Sequence, residues 1–391
     1  MVFSMSFFPN QGRYLRVYNE ARSLLKAFGH VNIIAWDREC TQPKLEIVDG
    51  ILVERIRIKT GVEKGPIRNG WKVLLFNLIV FLKLVLRRRE VDIIHAFNID
   101  TMISTITAAK LMGKGAILDL CEPDYYAFWD KKYAPFLKVI NWLEKVISRR
   151  FDAVFVHNNY QVKKFQKYGV RHLEQIGTYP SSRLIVERIK IHRNSENKPV
   201  IIGRIGTIYA NNGIEELVEA FKLLLNRFKH TRLLLAGRVY NNYQETFDRL
   251  MHFLGDKVEV TGPFSPEQIP ELYRRIDISV MLNRRTDWFK NITPTKFFDS
   301  IANGVPVITS DIGDLREITE KFKCGLVVDE TDPESICSAL EILVNDPALR
   351  QKMAENGLRA AKEKYNWDLM EKRLLNVYDT LSELPPKSCT T

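Results

Sequence analysis

The stretch "VIIGRIGTIYANNGIEELVEAFKLL", residues 200–224, decides the fold class. It opens on a short apolar run, carries Gly203 and Gly206 at the end of that run, and resumes after Gly213 with apolar residues at helical spacing. Continuous apolar runs mark strands buried on both faces, whereas a strand with one wet face would alternate. Glycines at such a strand end let a phosphate approach the backbone, and the free N–H groups of the following helix favour an anion. The same glycines are also what any tight strand-to-helix turn requires.

The pattern recurs along the chain. "VNIIAW" (31–36), "VDIIHAF" (91–97), "GAILDL" (115–120), "DAVFVH" (152–157), "RLLLAG" (232–237), "KVEVTG" (257–262), "DISVML" (277–282) and "VPVITS" (305–310) alternate with longer helical segments. The opening residues read as a first strand. This predicts an α/β chain with parallel sheets, whose ligands bind at the carboxyl ends of the strands. At 391 residues the chain exceeds one ordinary core; a domain per roughly 100–200 residues suggests two. The polar segment "TYPSSRLIVERIKIHRNSENK" (178–198) is the natural divide. The expected domains are 1–180, a linker at 181–198, and 199–366. A last helix from 367 is expected to return to the first domain, with a disordered tail to 391.

With 45% hydrophobic and 27% charged residues, the composition is that of a globular protein. Five cysteines, odd in number and without CxxC spacing, indicate neither a disulfide framework nor a zinc site. The start lacks the features of a secretory signal, so a cytoplasmic location is expected. The net charge of +11 is one-sided. Residues 1–180 hold 28 Lys and Arg against 17 Asp and Glu, and the remainder is balanced. Such a field points to an anionic partner of the first half.

"WKVLLFNLIVFLKLVL" (71–86), followed by Arg87, Arg88 and Arg89, is too short and too interrupted by Lys72 and Lys83 to span a bilayer. At ~100° per residue, Lys72, Lys83 and Arg87 share one narrow face of the helix. Two readings stay open: an interfacial helix whose basic edge meets anionic lipid headgroups, or a helix buried between sheet and neighbours. "YYAFWDKKYAPFLKVINWLEKVISRR" (125–150) repeats the mixture of aromatics and bases. The first reading would put the protein on the inner face of the cell membrane through residues 71–89.

Several chemistries are disfavoured: there is no GxGxxG after a strand, no GxxxxGK[ST], no GxSxG and no HExxH. A DxD pair for a metal-bound diphosphate is also missing from the sequence, so no metal is expected. In "NITPTKFFDSIANGVPVITSDIG" (291–313), Thr293 and Pro294 predict the start of a helix over about 294–302, ended by Asn303-Gly304. Lys296 then lies in the first turn, where the helix dipole is already positive, unless an anion sits ahead of it. A phosphate would resolve the conflict, with Thr295 beside it and Asp299 one turn on. The plainer reading is a Lys296–Asp299 surface pair.

Taken in order, "GTIYANNGIEELVEAF", "LLLAGR", "VEVTGPFSPEQIPELYRRIDISVML", "TPTKFFDSIANGVPVITSDIGDLREI" and "CGLVVDETDPESICSALEILVNDPALRQKM" resemble the donor domain of family 4 glycosyltransferases of group 1. "RVYNEARSLLKAFGHVNIIAWDRE" and "VDIIHAFNIDTMISTITAAKLMGKGAILDLCE" are similar to that family's acceptor domain. The resemblance implies a GT-B fold, two Rossmann-like parallel-sheet domains facing a central cleft. It implies retention of configuration and a UDP- or GDP-linked sugar as co-substrate, with no cofactor. The family's donor carboxylate pair, eight residues apart, falls on Asn291 and Asp299, both altered. Its usual diphosphate Arg and Lys fall on Thr207 and Asn212, shifting the phosphate charge to Lys296, helped by Arg204 or Arg238.

Donor contacts are expected from Gly206, Thr207, Arg204, Gly237, Arg238, Phe264, Thr295, Lys296 and Asp299. The acceptor side is expected from Gly12, Arg13, His95, Asn98 and Cys121. Lys296, Asn291 and Glu122 are the residues nearest to catalysis, with the leaving phosphate assisting deprotonation of the acceptor in this family. A glycan or lipid-phosphate-linked acceptor is the expected partner, and nucleic acid is not. Two alternatives remain: a nucleotide-sugar epimerase of the same shape, which needs acid/base carboxylates, and a non-catalytic binding protein, suggested by the altered Asn291, Asp299 and Cys121.

Overall fold

The computed structural model describes residues 1–3, 15–60, 66–121, 134–186, 198–287 and 289–383. Contacts divide the chain into two units, Met1–Thr178 with the residues from Met370 onward, and Tyr179–Leu369. The described residues of the stretch expected as a linker, 181–186 and 198, fall within the second unit.

In the first unit, in chain order, β1 (Val2–Phe3), α1 (Leu15–Phe28), β2 (Asn32–Asp37), β3 (Leu45–Val48) and β4 (Ile51–Arg57) come first. They are followed by α2 (Pro66–Leu86), β5 (Ile93–Phe97), α3 (Met102–Met112) and β6 (Gly115–Leu120). α4 (Ala134–Ser148), β7 (Ala153–Val156), α5 (Asn159–Tyr168) and β8 (Leu173–Gln175) complete it. The sheet runs β3-β4-β2-β1-β5-β6-β7-β8. Every pairing is parallel except β3 with β4. That hairpin departs from the parallel-sheet expectation. It turns on Asp49 and Gly50, both at positive φ (48° and 84°), the conformation of a tight hairpin turn.

The second unit contains β9 (Val200–Ile205), α6 (Ile214–Leu225), β10 (Thr231–Ala236), α7 (Gln244–Leu254), β11 (Val258–Gly262) and α8 (Ile269–Arg275). β12 (Ile278–Met281), α9 (Thr295–Ala302), β13 (Val307–Ser310), α10 (Leu315–Phe322) and β14 (Gly325–Val328) follow. α11 (Pro333–Asn345) and α12 (Pro347–Glu363) complete it, and α13 (Trp367–Ser382) leaves it, its residues from Met370 onward belonging to the first unit. The six strands of the second unit are all parallel in the order β11-β10-β9-β12-β13-β14. The chain therefore reverses direction between β9 and β12, which is where ligands of doubly wound sheets bind. Ile202, Leu233, Leu235, Ile278, Val280 and Ile308 form the buried centre of this sheet.

α2 packs one apolar face on the sheet, as the buried-helix reading of the two left open expects. Phe76, Val80 and Leu84 are buried against the sheet. Beside them, Lys83 and Arg87 of the basic edge, which the interfacial reading sets against lipid headgroups, both bond the Glu54 carboxylate on β4, Arg87 Nη1 at 2.8 Å. Lys72 Nζ donates to the Lys59 carbonyl at 2.6 Å. Intramolecular partners therefore occupy all three bases.

Candidate functional site

Two groups of polar side chains lie at strand ends, one in each unit. In the second unit, the loops after β9 and β10 come into close backbone contact at Gly206 and Gly237. Gly206 and Gly237 sit at φ +133° and +146°, and a Cβ on Gly237 would lie 2.0 Å from the Gly206 carbonyl oxygen. Only a residue without a side chain fits there. The Gly206 N–H is bound to the Ala236 carbonyl at 2.8 Å and that of Gly237 to Gly262 at 2.8 Å. Thr207 is exposed beside them.

Against this loop pair stand two cations. A Cβ on Gly206 would lie 3.4 Å from Arg204 Nη1 and 3.5 Å from Lys296 Cγ. Lys296 opens α9, its carbonyl accepting from the Tyr273 hydroxyl at 3.2 Å and Ser300 Oγ at 2.9 Å. Its Nζ binds Asp299 Oδ2 at 2.9 Å and lies 5.6 Å from the Phe264 ring centroid. Both members of that pair are partly buried, so the plainer reading of the sequence and the phosphate reading describe the same side chains. An incoming anion would share Lys296 with Asp299.

Arg204 differs. It is 5% exposed, its one described bond is a 3.4 Å contact from Nη1 to the Ile205 carbonyl, and its Nε has no partner among the described residues. Burial pulls its pKa down, opposed by Tyr209 and Tyr273, and no carboxylate among the described residues counters it. A buried guanidinium without counter-charge is costly, and the cost falls when an anion arrives.

α9 begins one residue later than expected, at Thr295, because Pro294 is extended (φ −62°, ψ 130°) and caps it without a side-chain bond. Thr293 serves a different helix. Its Oγ1 accepts from the Asp314 N–H at 3.2 Å, at the start of α10. Thr295 is exposed, Asn291 is half-buried in the 3-10 turn ahead of α9, and Arg238 is exposed after β10. Geometry therefore joins Gly206, Gly237, Arg204, Lys296, Asp299 and Phe264, while Asn291, Thr295 and Arg238 stand at the margin.

Three aromatic side chains in this region escape sequence reading. The rings of Tyr209 and Phe289 stack at 6.0 Å with 20° between planes, and Tyr240 meets Tyr209 edge-on at 5.8 Å. They come from the loops after β9, after β10 and before α9, so no spacing in the sequence announces them. A further link, Arg284 N–H to the Asn211 carbonyl at 3.0 Å, ties the loop after β12 to that after β9.

In the first unit the group is closed. Arg16 on α1 donates Nε to Glu20 Oε1 at 3.1 Å and to Asp119 Oδ2 at 3.0 Å, and Nη2 to Asp119 Oδ1 at 2.6 Å. Nη1 donates to the Ile176 carbonyl. His95 on β5 is fully buried, its Nδ1 2.8 Å from the Tyr378 hydroxyl and its Nε2 3.6 Å from Asp119 and 3.7 Å from Glu20. Burial lowers the His95 pKa, favouring the neutral ring. Burial and the nearby Asp119 charge push Glu20 well above the usual carboxylate range. Burial acts to raise Asp119 as well, but Arg16 holds it lowered.

Glu20, His95 and Asp119 are the described residues with metal-ligand chemistry in one place. Arg16 already occupies both carboxylates, so a cation would meet a positive charge. His95 reaches no surface, which does not fit a direct acceptor contact. Asn98, at φ 61°, is buried with Oδ1 lacking a described partner, and Cys121 Sγ lies 3.8 Å from Asp119 Oδ1. Gly12, Arg13 and Glu122 lie outside the described residues.

Comparison with known proteins bears on the second unit most strongly. Residues 186–360 match the family described as glycosyl transferases group 1. The chain is 25% identical over 189 residues to a capsular polysaccharide biosynthesis glycosyltransferase of Staphylococcus aureus, covering 47% of each. It is 28% identical over 192 residues to a D-inositol 3-phosphate glycosyltransferase of Corynebacterium urealyticum, covering 47% of this chain and 44% of that one. The chain spans about half the length of these relatives. Among solved structures, a sucrose-phosphate synthase from Thermosynechococcus elongatus superposes with TM-score 0.74 at 15% identity, covering 97% of this chain and 98% of that. A glycosyltransferase involved in lipopolysaccharide biosynthesis, WaaG, superposes with TM-score 0.64 at 17% identity, covering 96% and 98%. The fold is GT-B.

Proposed function

Since the second unit carries a group 1 glycosyltransferase domain, we propose that the chain transfers a sugar from a UDP- or GDP-linked donor to a glycan or lipid-phosphate-linked acceptor, with retention of configuration. The observation that carries this reading is Arg204, a buried cation with no described counter-charge, facing the bare backbone of Gly206 and Gly237 beside Lys296. A diphosphate supplies the missing charge. The donor would lie with its phosphates between Arg204, Lys296 and the start of α9, and with its nucleoside toward the Tyr209, Tyr240 and Phe289 rings. Asp299, held beside Lys296, is then the ribose contact, and Asn291 the residue nearest the sugar.

Catalysis follows from charge. As the glycosidic bond lengthens, negative charge grows on the departing diphosphate, and cations preorganised around it stabilise that state more than the ground state. Arg204 and Lys296 fill this role, and no protein nucleophile or metal is invoked. The epimerase alternative needs acid/base carboxylates at the same strand ends. Asp299 is the described carboxylate joined to the cation cluster there, and Lys296 holds it.

The test is incubation of the protein with a panel of nucleotide sugars, following nucleoside diphosphate release with and without lipid. Release with one donor is expected. Absence of release with every donor, alongside unimpaired nucleotide binding, would support the non-catalytic alternative. Lys296→Ala is expected to weaken donor binding about 5- to 30-fold, the loss of one shared charge-assisted contact of about 1–2 kcal/mol; unchanged affinity would refute its assignment.

A further inference from the structure

Exposed apolar side chains on the first unit are concentrated rather than scattered. More than half of the exposed large apolar residues among the described ones lie on α2, α3 and α4. On α2, Trp71, Leu74, Leu78, Leu82 and Leu86 follow one another at helical spacing along the solvent side and are 49–83% exposed. α3 packs beside α2, joined through Ser104 Oγ to Asn77 Oδ1 at 2.6 Å, and shows Ile103 and Leu111 outward. α4 lies on the other side of α3 and exposes Phe136, Val139 and Trp142, the last 60% exposed. Single exposed apolar residues are ordinary, but a stripe continued over adjacent helices is not.

Among the described residues the charge around the stripe is mostly basic, with Glu90 and Asp92 the exposed carboxylates after α2 and Asp92 3.7 Å from Lys114 Nζ. α2 and α3 contain no carboxylate, and the one on α4, Glu144, is buried and paired with Lys164 at 2.8 Å. Arg88 and Arg89 follow α2, Lys110 ends α3, and Lys138, Lys145, Arg149 and Arg150 lie on and after α4, all exposed. The bases that face inward, Lys83 and Arg87, are held by Glu54, so these outer ones make the field. No helix of the described residues is long and apolar enough to cross a membrane.

We propose that the α2–α3–α4 face of the first unit rests on an anionic phospholipid surface, its apolar stripe in the headgroup boundary and its rim of Lys and Arg on the lipid phosphates. A protein partner would need a matching acidic rim around an apolar ridge; a bilayer of anionic lipid offers both over the whole face. The contact is independent of sugar transfer, so it persists whatever the donor proves to be.

Flotation of the full chain with vesicles of phosphatidylcholine, with or without phosphatidylglycerol, tests it in the absence of any nucleotide sugar. Binding is expected on the anionic vesicles, with loss at high salt. Leu78→Glu with Leu82→Glu should lower partitioning roughly tenfold or more, and Arg149→Glu with Arg150→Glu several-fold. All four positions are exposed, and unchanged melting temperatures will show that these variants fold; Trp142→Gln supplies an independent check on α4. Partitioning by the Leu78→Glu/Leu82→Glu variant equal to the parent's would overturn the proposal, as would failure of the parent to bind anionic vesicles. So would a parent that sediments as a dimer, becomes monomeric in the same variant and ignores vesicles, since the stripe would then be covered by a second copy. Nucleoside diphosphate release measured without lipid reads the enzymatic proposal separately.

Discussion

Both units place a buried arginine near the strand ends of a parallel sheet, and the two are in opposite electrical states. Arg16 is saturated: two carboxylates and a backbone carbonyl take its N–H groups, and Asp119 grips it through two nitrogens. Among the described residues, Arg204 has a single long contact to a carbonyl and no carboxylate. A saturated guanidinium is a structural part, because its charge is already neutralised and its geometry fixed. An unsaturated one is a binding part, because the stabilisation it lacks must come from outside. On the donor reading proposed above, the same residue type serves folding in one unit and ligand capture in the other.

The largest effect that could break this comparison is on stability. Arg16→Met leaves Asp119 and Glu20 buried without their cation. Removing one partner of a buried ion pair costs about 3–5 kcal/mol, so the first unit is expected to unfold at markedly lower denaturant, if it folds at all. Urea titration measures it. A loss below about 1 kcal/mol, the worth of an exposed pair, would mean that Arg16 is dispensable and the contrast empty.

Arg204→Met is expected to do the reverse. The apolar side chain replaces an uncompensated charge of similar length, so thermal stability should hold or rise, while nucleoside diphosphate affinity falls by about 1.5–3 kcal/mol, roughly 10- to 150-fold. Calorimetric titration and a melting curve on the same sample decide it. If the variant is destabilised as Arg16→Met is, Arg204 is a packing residue and the donor site must be sought elsewhere.

How far the sequence foretold this contrast depends on whether an interaction is local. The nine apolar runs all appear as strands, since burial on both faces leaves a continuous signature. The β3–β4 hairpin was also legible through Asp49-Gly50 between two alternating segments, a strong turn signal that the parallel pattern overshadowed. α9 was placed to within a residue, but the partner of Thr293 was not, because its acceptor role serves Asp314, 21 residues on. Nor could α2's orientation be read. An interfacial and a buried reading stayed open for it, and Glu54, which holds Lys83 of its basic edge, is 29 residues away in sequence. What makes Arg204 distinctive is the lack of a carboxylate around it among the described residues, which depends on every neighbour at once and has no motif. Arg16, at the centre of the first unit's network, carried no signal either: its carboxylate partner Asp119 is 103 residues away.

The smallest expected effect sharpens the Arg16 side of the comparison. Glu20 has its pKa raised in the fold by burial first and the Asp119 charge second, while Arg16 opposes both. Below the unfolded value of about 4.5 the carboxyl is protonated in both states, and its contribution to stability is fully present. As the pH climbs, the unfolded chain releases the proton while the folded one retains it, so stability is lost until the folded value is passed. Glu20→Gln cannot ionise in either state and should remove that loss. Melting temperatures are therefore expected to coincide in mildly acid buffer and to diverge toward alkaline pH, with the variant the more stable. Parallel curves across the range would mean that Glu20 is ionised in the fold; Arg16 would then hold two charges, and the proton would have to be removed from the account of how the network is neutralised.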